Sequence, residues 1–186
     1  LRRSRREEVL QQFFSRLVVD TSAQMGLLGD TNAMSIAGDG TPYYSGASSY
    51  GIKVCECKSQ GIFNCQCPRR YSDPDATWGW DSYRELYFFG DSLYAFTAAG
   101  TKHDLPIYLR MVQAKRHDSI TTIFALQEFR ELFPSLRVEN AIFDGAMDNY
   151  PTYELCYHWN IRPFIPLDEK TKIALKSLPK GVVAFN

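Results

Sequence analysis

A mixed α/β sheet is the fold class that this sequence predicts, and three observations carry it. The order of apolar segments reads as three strands, a helix, a strand, a helix and a strand. That order implies an antiparallel meander extended by parallel βα units. Hydrophobic residues make up 45% of the chain and aromatic residues 14%, enough for a real core. The third observation is length: 186 residues fit one domain with a small insertion.

Each element has its own warrant. Residues 7–19 have helical spacing, with Val9, Leu10, Phe13, Phe14, Leu17 and Val18 on one broad face. Asp20, Thr21 and Ser22, and then 26–30, read as loop. Residues 34–39 form the first strand. The stretch 41–81 is rich in Gly, Ser, Cys, Pro and Trp and keeps no period, so it reads as an insertion with internal supports. Residues 86–99 (LYFFGDSLYAFTAA) form one long strand, with Gly90 as a bulge or a point of close contact. Residues 105–114 form the next strand. Asp118 or Ser119 caps a helix that runs through Phe133 and is ended by Pro134. Its apolar face is Ile120, Ile123, Phe124, Leu126 and Phe129. Residues 138–143 form a strand that stops at Asp144, 150–159 a helix with Cys156 on its core side, and 162–167 a strand.

Lys+Arg and Asp+Glu balance at 21 each. A dedicated nucleic-acid module is usually basic, so neutrality counts against one. It leaves room for an enzyme acting on DNA, where metal ions and local patches supply positive charge. The local clusters are Arg2, Arg3, Arg5 and Arg6 at the start, which read as a solvated end, and Lys115-Arg116. No apolar run approaches the ~20 residues that span a bilayer, and the arginine-rich start lacks a signal-peptide core. No membrane partner is expected. The chain begins at Leu1 without Met and stops inside a strand-like VVAFN, so a fragment is expected.

Two strands end in an acid beside glycine, IAGDG at Asp39 and AIFDGAMD at Asp144. Asp-Gly pairs are common in turns, and that is the plain alternative. In the topology above, however, the two strands are neighbours near the sheet centre. Both carboxylates would then project at one edge and repel each other unless a cation lies between them. Hard oxygen ligands suit Mg²⁺ or Mn²⁺, and two such ions about 3.5–4 Å apart promote phosphoryl transfer. The glycines leave room for a phosphate to approach.

Cys55 and Cys57, then Cys65 and Cys67, flank a hairpin-sized KSQGIFN loop. Such thiol pairs can wrap one tetrahedral, structural Zn²⁺, which a lobe poor in aliphatic residues needs as a staple. Disulfides or four reduced thiols are the alternatives; no secretory signal supports the former. The following YSDPDATWGWD segment carries Trp78 and Trp80, which either stack on an unpaired or flipped base or pack the insertion onto the sheet. Asp73, Asp75 and Asp81 are expected in turn and cap roles.

In order along the chain come GLLGDTNAMSIAGDGTPYYSGASSYG, YSDPDATWGWDS, FFGDSLY, DLPIYL, KRHDS and IFDGAMDNYPTYELCYHWNIRPFIPLD. Together they resemble the DDE catalytic domain of bacterial insertion-sequence transposases over about 26–168. The resemblance implies a ribonuclease-H-like mixed sheet with flanking helices and a Cys-rich insertion after the first strand. It divides the chain into an N-terminal helical segment (1–32), the catalytic core (33–168, insertion about 50–82) and the start of a further segment (169–186).

Its implied function is Mg²⁺- or Mn²⁺-dependent phosphodiester hydrolysis and strand transfer at transposon ends. Asp39 matches the first acid of the family triad, Asp144 the second, and Asp148 sits where relatives often carry a supporting acid. The DNA-contact candidates are Trp78, Trp80, Lys115 and Arg116. His117-Asp118-Ser119 also matches a family segment, and a helix cap is its expected role. No segment matches the family's third acid, a Glu. Glu154 and Glu169 are the nearest acids, and neither fits. The domain is therefore expected to be cut short before that acid and inactive alone. Transposon-end and target DNA are the implied partners, a homo-oligomer is compatible, and the implied location is the bacterial cytoplasm at the nucleoid. The alternative is a catalytically dead, transposase-derived module that binds DNA or protein through its zinc lobe.

Overall fold

The computed structural model describes residues 5–167. The segment expected after 168, with Glu169, lies outside them. The chain starts with α1 (Arg5–Phe14), widens into a π-helical stretch (Ser15–Asp20) and closes with the single turn α2 (Thr21–Gln24). Thr21 and Ser22 are thus helical, where loop was expected. The inward face also differs from expectation. Gln11, Ser15 and Val19 are buried, whereas Val9, Leu10, Phe13 and Leu17 are more than half exposed. The π turn rotates only the side chains in and after it, Leu17 and Val19 among them, whereas Val9, Leu10, Gln11 and Phe13 lie before it in regular α1, where a polar residue faces inward.

Among the described residues eight strands follow: β1 (Met34–Tyr44), β2 (Ile52–Lys53), β3 (Arg69–Arg70), β4 (Thr77–Asp81), β5 (Leu86–Ala99), β6 (Pro106–Gln113), β7 (Val138–Ile142) and β8 (Arg162–Phe164). The helix α3 (Asp118–Leu132) precedes β7, and α4 (Tyr150–His158) precedes β8. Six strands make one sheet in the order β4-β5-β1-β7-β8, with β6 also on β5. β1 pairs antiparallel with β5, and β7 joins β1 in parallel. That is the expected meander with parallel additions, and it gives a ribonuclease-H-like mixed α/β fold.

One boundary differs. β4 was expected inside the insertion but belongs to the main sheet. Residues 86–90 of β5 take β4 and 91–97 take β6, end to end along one edge. A strand of 14 residues is long enough to carry both. β1 also runs five residues past Asp39, so the irregular insertion shrinks to 45–76.

Alternation places Tyr94, Phe96 and Ala98 of β5 in the core with Ile36 of β1. α3 lays Ala125, Leu126 and Phe129 on them. Phe96 is the hub: its ring lies 5.3 Å from Tyr108, 6.0 Å from Phe129 and 6.3 Å from Phe143. Cys156 is fully buried in this core, as expected. Gly90 is a close-contact point, because a Cβ there would meet the Tyr43 carbonyl oxygen at 2.1 Å. Among the described residues no helix is long and apolar enough to cross a membrane.

Gly38 carries the tightest aromatic contact. A Cβ on it would lie 2.7 Å from the Phe96 ring and 2.8 Å from Phe143. Gly38→Ala is expected to destabilise the domain by about 1–3 kcal/mol, because close-packed rings must move. A thermal melt should show Tm lower by roughly 2–10 °C; an unchanged Tm would show that the rings relax freely.

Candidate functional site

The register that places the two acids is simple. Ala37 of β1 is the partner of Ile142 of β7, and Asp39 and Asp144 each lie two residues further on. On parallel neighbours about 4.8 Å apart, equal offsets bring both acids to the same level of the sheet edge. Asp39 accepts a 2.7 Å hydrogen bond from the Gly40 N–H. Asp144 accepts from the Ala146 N–H at 3.1 Å and so starts the 3₁₀ turn Gly145–Met147. The turn role of this Asp-Gly pair is real, and it also fixes the carboxylate at the strand end.

A third carboxylate joins them. Asp118 is the first residue of α3, with His117 as the N-cap accepting from the Ser119 N–H. Its carboxyl lies against the Cα of Gly40, where a Cβ would come within 2.5 Å of Oδ1. Gly40 is therefore the residue that lets α3 deliver an acid beside β1. Asp39, Asp118 and Asp144 line one cleft of about 630 Å³.

Electrostatics agree with the geometry. Burial raises the Asp118 pKa to about 6, with Asp39 and Asp144 adding to the shift and His117 opposing it. Asp39 remains open to solvent, yet desolvation raises its pKa too; the Gly40 N–H opposes this, and Asp144 adds to it. None of the three acids makes an ion pair among the described residues. The three carboxylates line one cleft, where Asp39 and Asp144 raise the cost of ionising Asp118, but among the described residues they are not drawn into a ready-made ligand set as the four cysteines are.

Beneath them a polar pivot holds the frame. Buried Tyr94 shares a 2.6 Å hydrogen bond with Thr122 of α3. The Thr122 hydroxyl also lies 2.8 Å from the Asp118 carbonyl oxygen and 3.1 Å from Met147 Sδ, tying β5, α3 and the turn after Asp144 together. Burial raises the Tyr94 pKa strongly, so the phenol stays neutral.

Trp78, Trp80, Lys115 and Arg116 also line the cleft. Both tryptophans are about half exposed, with Trp80 4.9 Å from Tyr87 and Trp78 5.7 Å from Phe89. The Lys115 N–H donates to Thr77 Oγ1 and fixes the β6–α3 turn against β4. Asp148 stands apart: it is half-buried, accepts from the Tyr153 hydroxyl at 2.9 Å and is not among the cleft-lining residues. Glu154 is exposed on α4 and also outside the cleft. Asp73 accepts from the Ser45 hydroxyl and the Ala76 N–H, and buried Asp81 from the Tyr44 hydroxyl and the Tyr83 and Arg84 N–H groups. The Tyr44 hydroxyl is the main cause of a lowered Asp81 pKa. Both acids have the turn and cap roles expected.

The four insertion cysteines converge. Their sulfurs lie within 4.8 Å of one another, with Cys55–Cys65 at 3.5 Å and Cys57–Cys67 at 3.6 Å. No disulfide links them. Four ligands about 2.3 Å from a tetrahedral Zn²⁺ would have sulfurs about 3.8 Å apart, so the donor set fits that ion. The ribbon of β2 and β3 brings the two pairs together, in the register Lys53↔Arg69.

Sequence reasoning missed Asp118 as a member of the acid cluster and did not single out Tyr94 or Thr122. The usable signal for Asp118 was Gly40, a second glycine after Asp39 that only a close approach explains.

No protein-family model matches the chain, and no curated protein does. A solved structure similar to it is the cryo-EM structure of the piggyBac transposase synaptic complex with hairpin DNA. The two are 11% identical with a TM-score of 0.39 over 90% of this chain. The match covers 30% of that chain, so this sequence spans about a third of its length.

Proposed function

We propose that this chain is the catalytic core of a DNA transposase that hydrolyses phosphodiester bonds at transposon ends and transfers the freed strand. The observation that carries the reading is the meeting of Asp39, Asp144 and Asp118 in one cleft beside two exposed tryptophans and Lys115-Arg116. Asp39 and Asp144 would hold Mg²⁺ or Mn²⁺, and Asp118 takes the place of a third ligand. A bound divalent pair lowers the pKa of an attacking water or 3′-hydroxyl and stabilises the leaving oxygen. The chain's own contribution is positional. β1 and β7 fix two carboxylates, Gly40 admits the third, and the Tyr94–Thr122 pivot holds α3 against them. Lys115 and Arg116 attract the phosphate backbone, while Trp78 and Trp80 offer faces for unstacked bases. Zn²⁺ in the Cys55, Cys57, Cys65 and Cys67 knuckle has a structural role.

Supercoiled plasmid incubated with the purified chain in Mn²⁺ tests the reading. The sequence alone predicts a chain inactive by itself; with Asp118 as third ligand, nicking above that of an Asp144→Ala control is expected instead, with Asp118→Ala lowering it by about 100-fold or more. Nicking equal in wild type and the Asp144 variant would reject the cleft as a nuclease site. Activity lost at Asp144 but kept at Asp118 would return the third ligand to a residue outside 5–167.

A further inference from the structure

We propose that the cysteine-held ribbon β2–β3 is a docking surface for the phosphate backbone of duplex DNA, separate from the acid cleft. It rests on the reading that the chain acts on DNA. Between residues 45 and 72 the sequence has Lys53, Lys58, Arg69 and Arg70 against a single acid, Glu56, in a chain that is neutral as a whole, so the remainder carries a net negative charge. Lys53 and Arg69 are direct cross-strand partners. Like charges placed opposite each other on a two-stranded ribbon oppose its folding, a cost that their hydrogen bonds to main-chain carbonyls offset. None of the four makes an ion pair among the described residues.

A metal knuckle offers a competing account, since Zn²⁺ with four thiolates carries two negative charges that cations could offset. The bonding answers it in part. Lys53 Nζ donates to the Phe63 carbonyl and Arg69 Nη1 to the Gly51 carbonyl, so neither is directed at sulfur, and the other guanidinium donors of Arg69 are left over. Lys58, Arg69 and Arg70 remain exposed. Exposed Tyr50 and Tyr71 flank the ribbon and add hydroxyl donors of the kind that meet phosphate oxygens.

The ribbon's root sets where a bound duplex would lie. The insertion leaves the sheet after β1 and returns at β4, whose tryptophans line the acid cleft. Ser45 closes the root, donating to Asp73 Oδ2 at 2.7 Å and through its N–H to the Phe89 carbonyl. A duplex on the ribbon is therefore held next to the cleft by contacts that read no bases.

The test is anisotropy of a labelled duplex of about 30 base pairs over a salt series, for wild type and for Lys58→Gln/Arg69→Gln/Arg70→Gln. The slope of log affinity against log salt is expected to fall by about 2–3 in magnitude, near one per phosphate contact removed. Zinc content should stay at one per chain. Should the triple variant lose zinc, Lys58→Gln/Arg70→Gln leaves the Lys53–Arg69 pair in place and should still lower the slope by about 2. An unchanged slope with zinc retained overturns the inference, as does a wild type that fails to bind the duplex. Tighter capture of poly-glutamate than of the duplex also overturns it, in favour of an acidic protein. A Mn²⁺ melting titration on the same samples separates the two readings: its failure rejects the acid cleft and leaves the ribbon result standing.

Discussion

Replacing Cys55 by Ser is expected to strip about one zinc per chain and to open residues 45–76 to protease, while the core keeps its cooperative melt. Four thiolates in a closed tetrahedral set bind zinc with apparent free energies of about 10–16 kcal/mol, and in a small lobe that energy is folding energy. No residue from 45–75 enters the buried core cluster, and Ile52, Val54, Ile62 and Phe63 are each at least half exposed. Without the metal, a two-residue strand pair holds the lobe together, too little for stability in water. Elemental analysis and limited proteolysis should therefore change together, with cleavage rising by more than about 10-fold, the mark of local rather than global opening. The Tm should move by only a few degrees, because the Phe96 hub is elsewhere. A metal-free protein with wild-type protease resistance would show that the knuckle needs no ion.

What could be read from the sequence depended on range. The strand β5 was legible to the residue because 86–99 is a long run rich in aromatic residues; its alternation of buried and half-buried positions emerges only in the sheet. β7 and both later helices were legible in extent, although α3 turns Thr121, Thr122 and Ala125 inward with Leu126 and Phe129 and leaves the expected Ile120 and Phe124 exposed; chain order then made β1 and β7 neighbours. That was enough to bring Asp39 and Asp144 together. β4 was missed because TWGWD sits in a run of Gly, Pro and Asp, and only its pairing with 86–90 makes it a strand. The inward face of the first helix was missed because polar Gln11 and Ser15 face inward while Val9, Leu10 and Phe13 stay exposed, which apolar spacing cannot show. Asp118 was missed because its local role, opening a helix beside a capping His, already accounted for it. Its second role exists only across the fold, where Gly40 gives it room. The cysteines lay at the other extreme: four thiols at short spacing announce their convergence however the intervening loop is shaped.

Mn²⁺ is expected to raise the Tm of the wild-type chain and to leave that of Asp39→Asn or Asp144→Asn nearly unchanged. At a metal concentration ~100 times the dissociation constant, ligand linkage adds about 2.7 kcal/mol. For a domain of this size that is roughly 5–10 °C. Asp118→Asn should weaken the response less completely if it is the third ligand. Without metal the signs reverse. The Asp118 carboxyl has a raised folded pKa, to about 6 against an ordinary 3.8, so its proton is held more tightly in the folded state. Its stabilising contribution is fully present below about pH 4 and is lost as pH climbs through 6. Asp118→Asn should thus flatten the pH dependence of stability between 4 and 6. At pH 7 it should stabilise the metal-free chain by about 1–2 kcal/mol, less than the full shift implies, because the α3 N-terminus already favours the anion. The Mn²⁺ response should fall over the same window, since protons and metal compete for one set of oxygens. Melts at pH 4, 5, 6 and 7, with and without Mn²⁺, read both trends. If the Asp39 and Asp144 variants keep the full metal response, the cation binds elsewhere. If either unfolds at all four pH values, the acids serve the sheet edge and not a shared site.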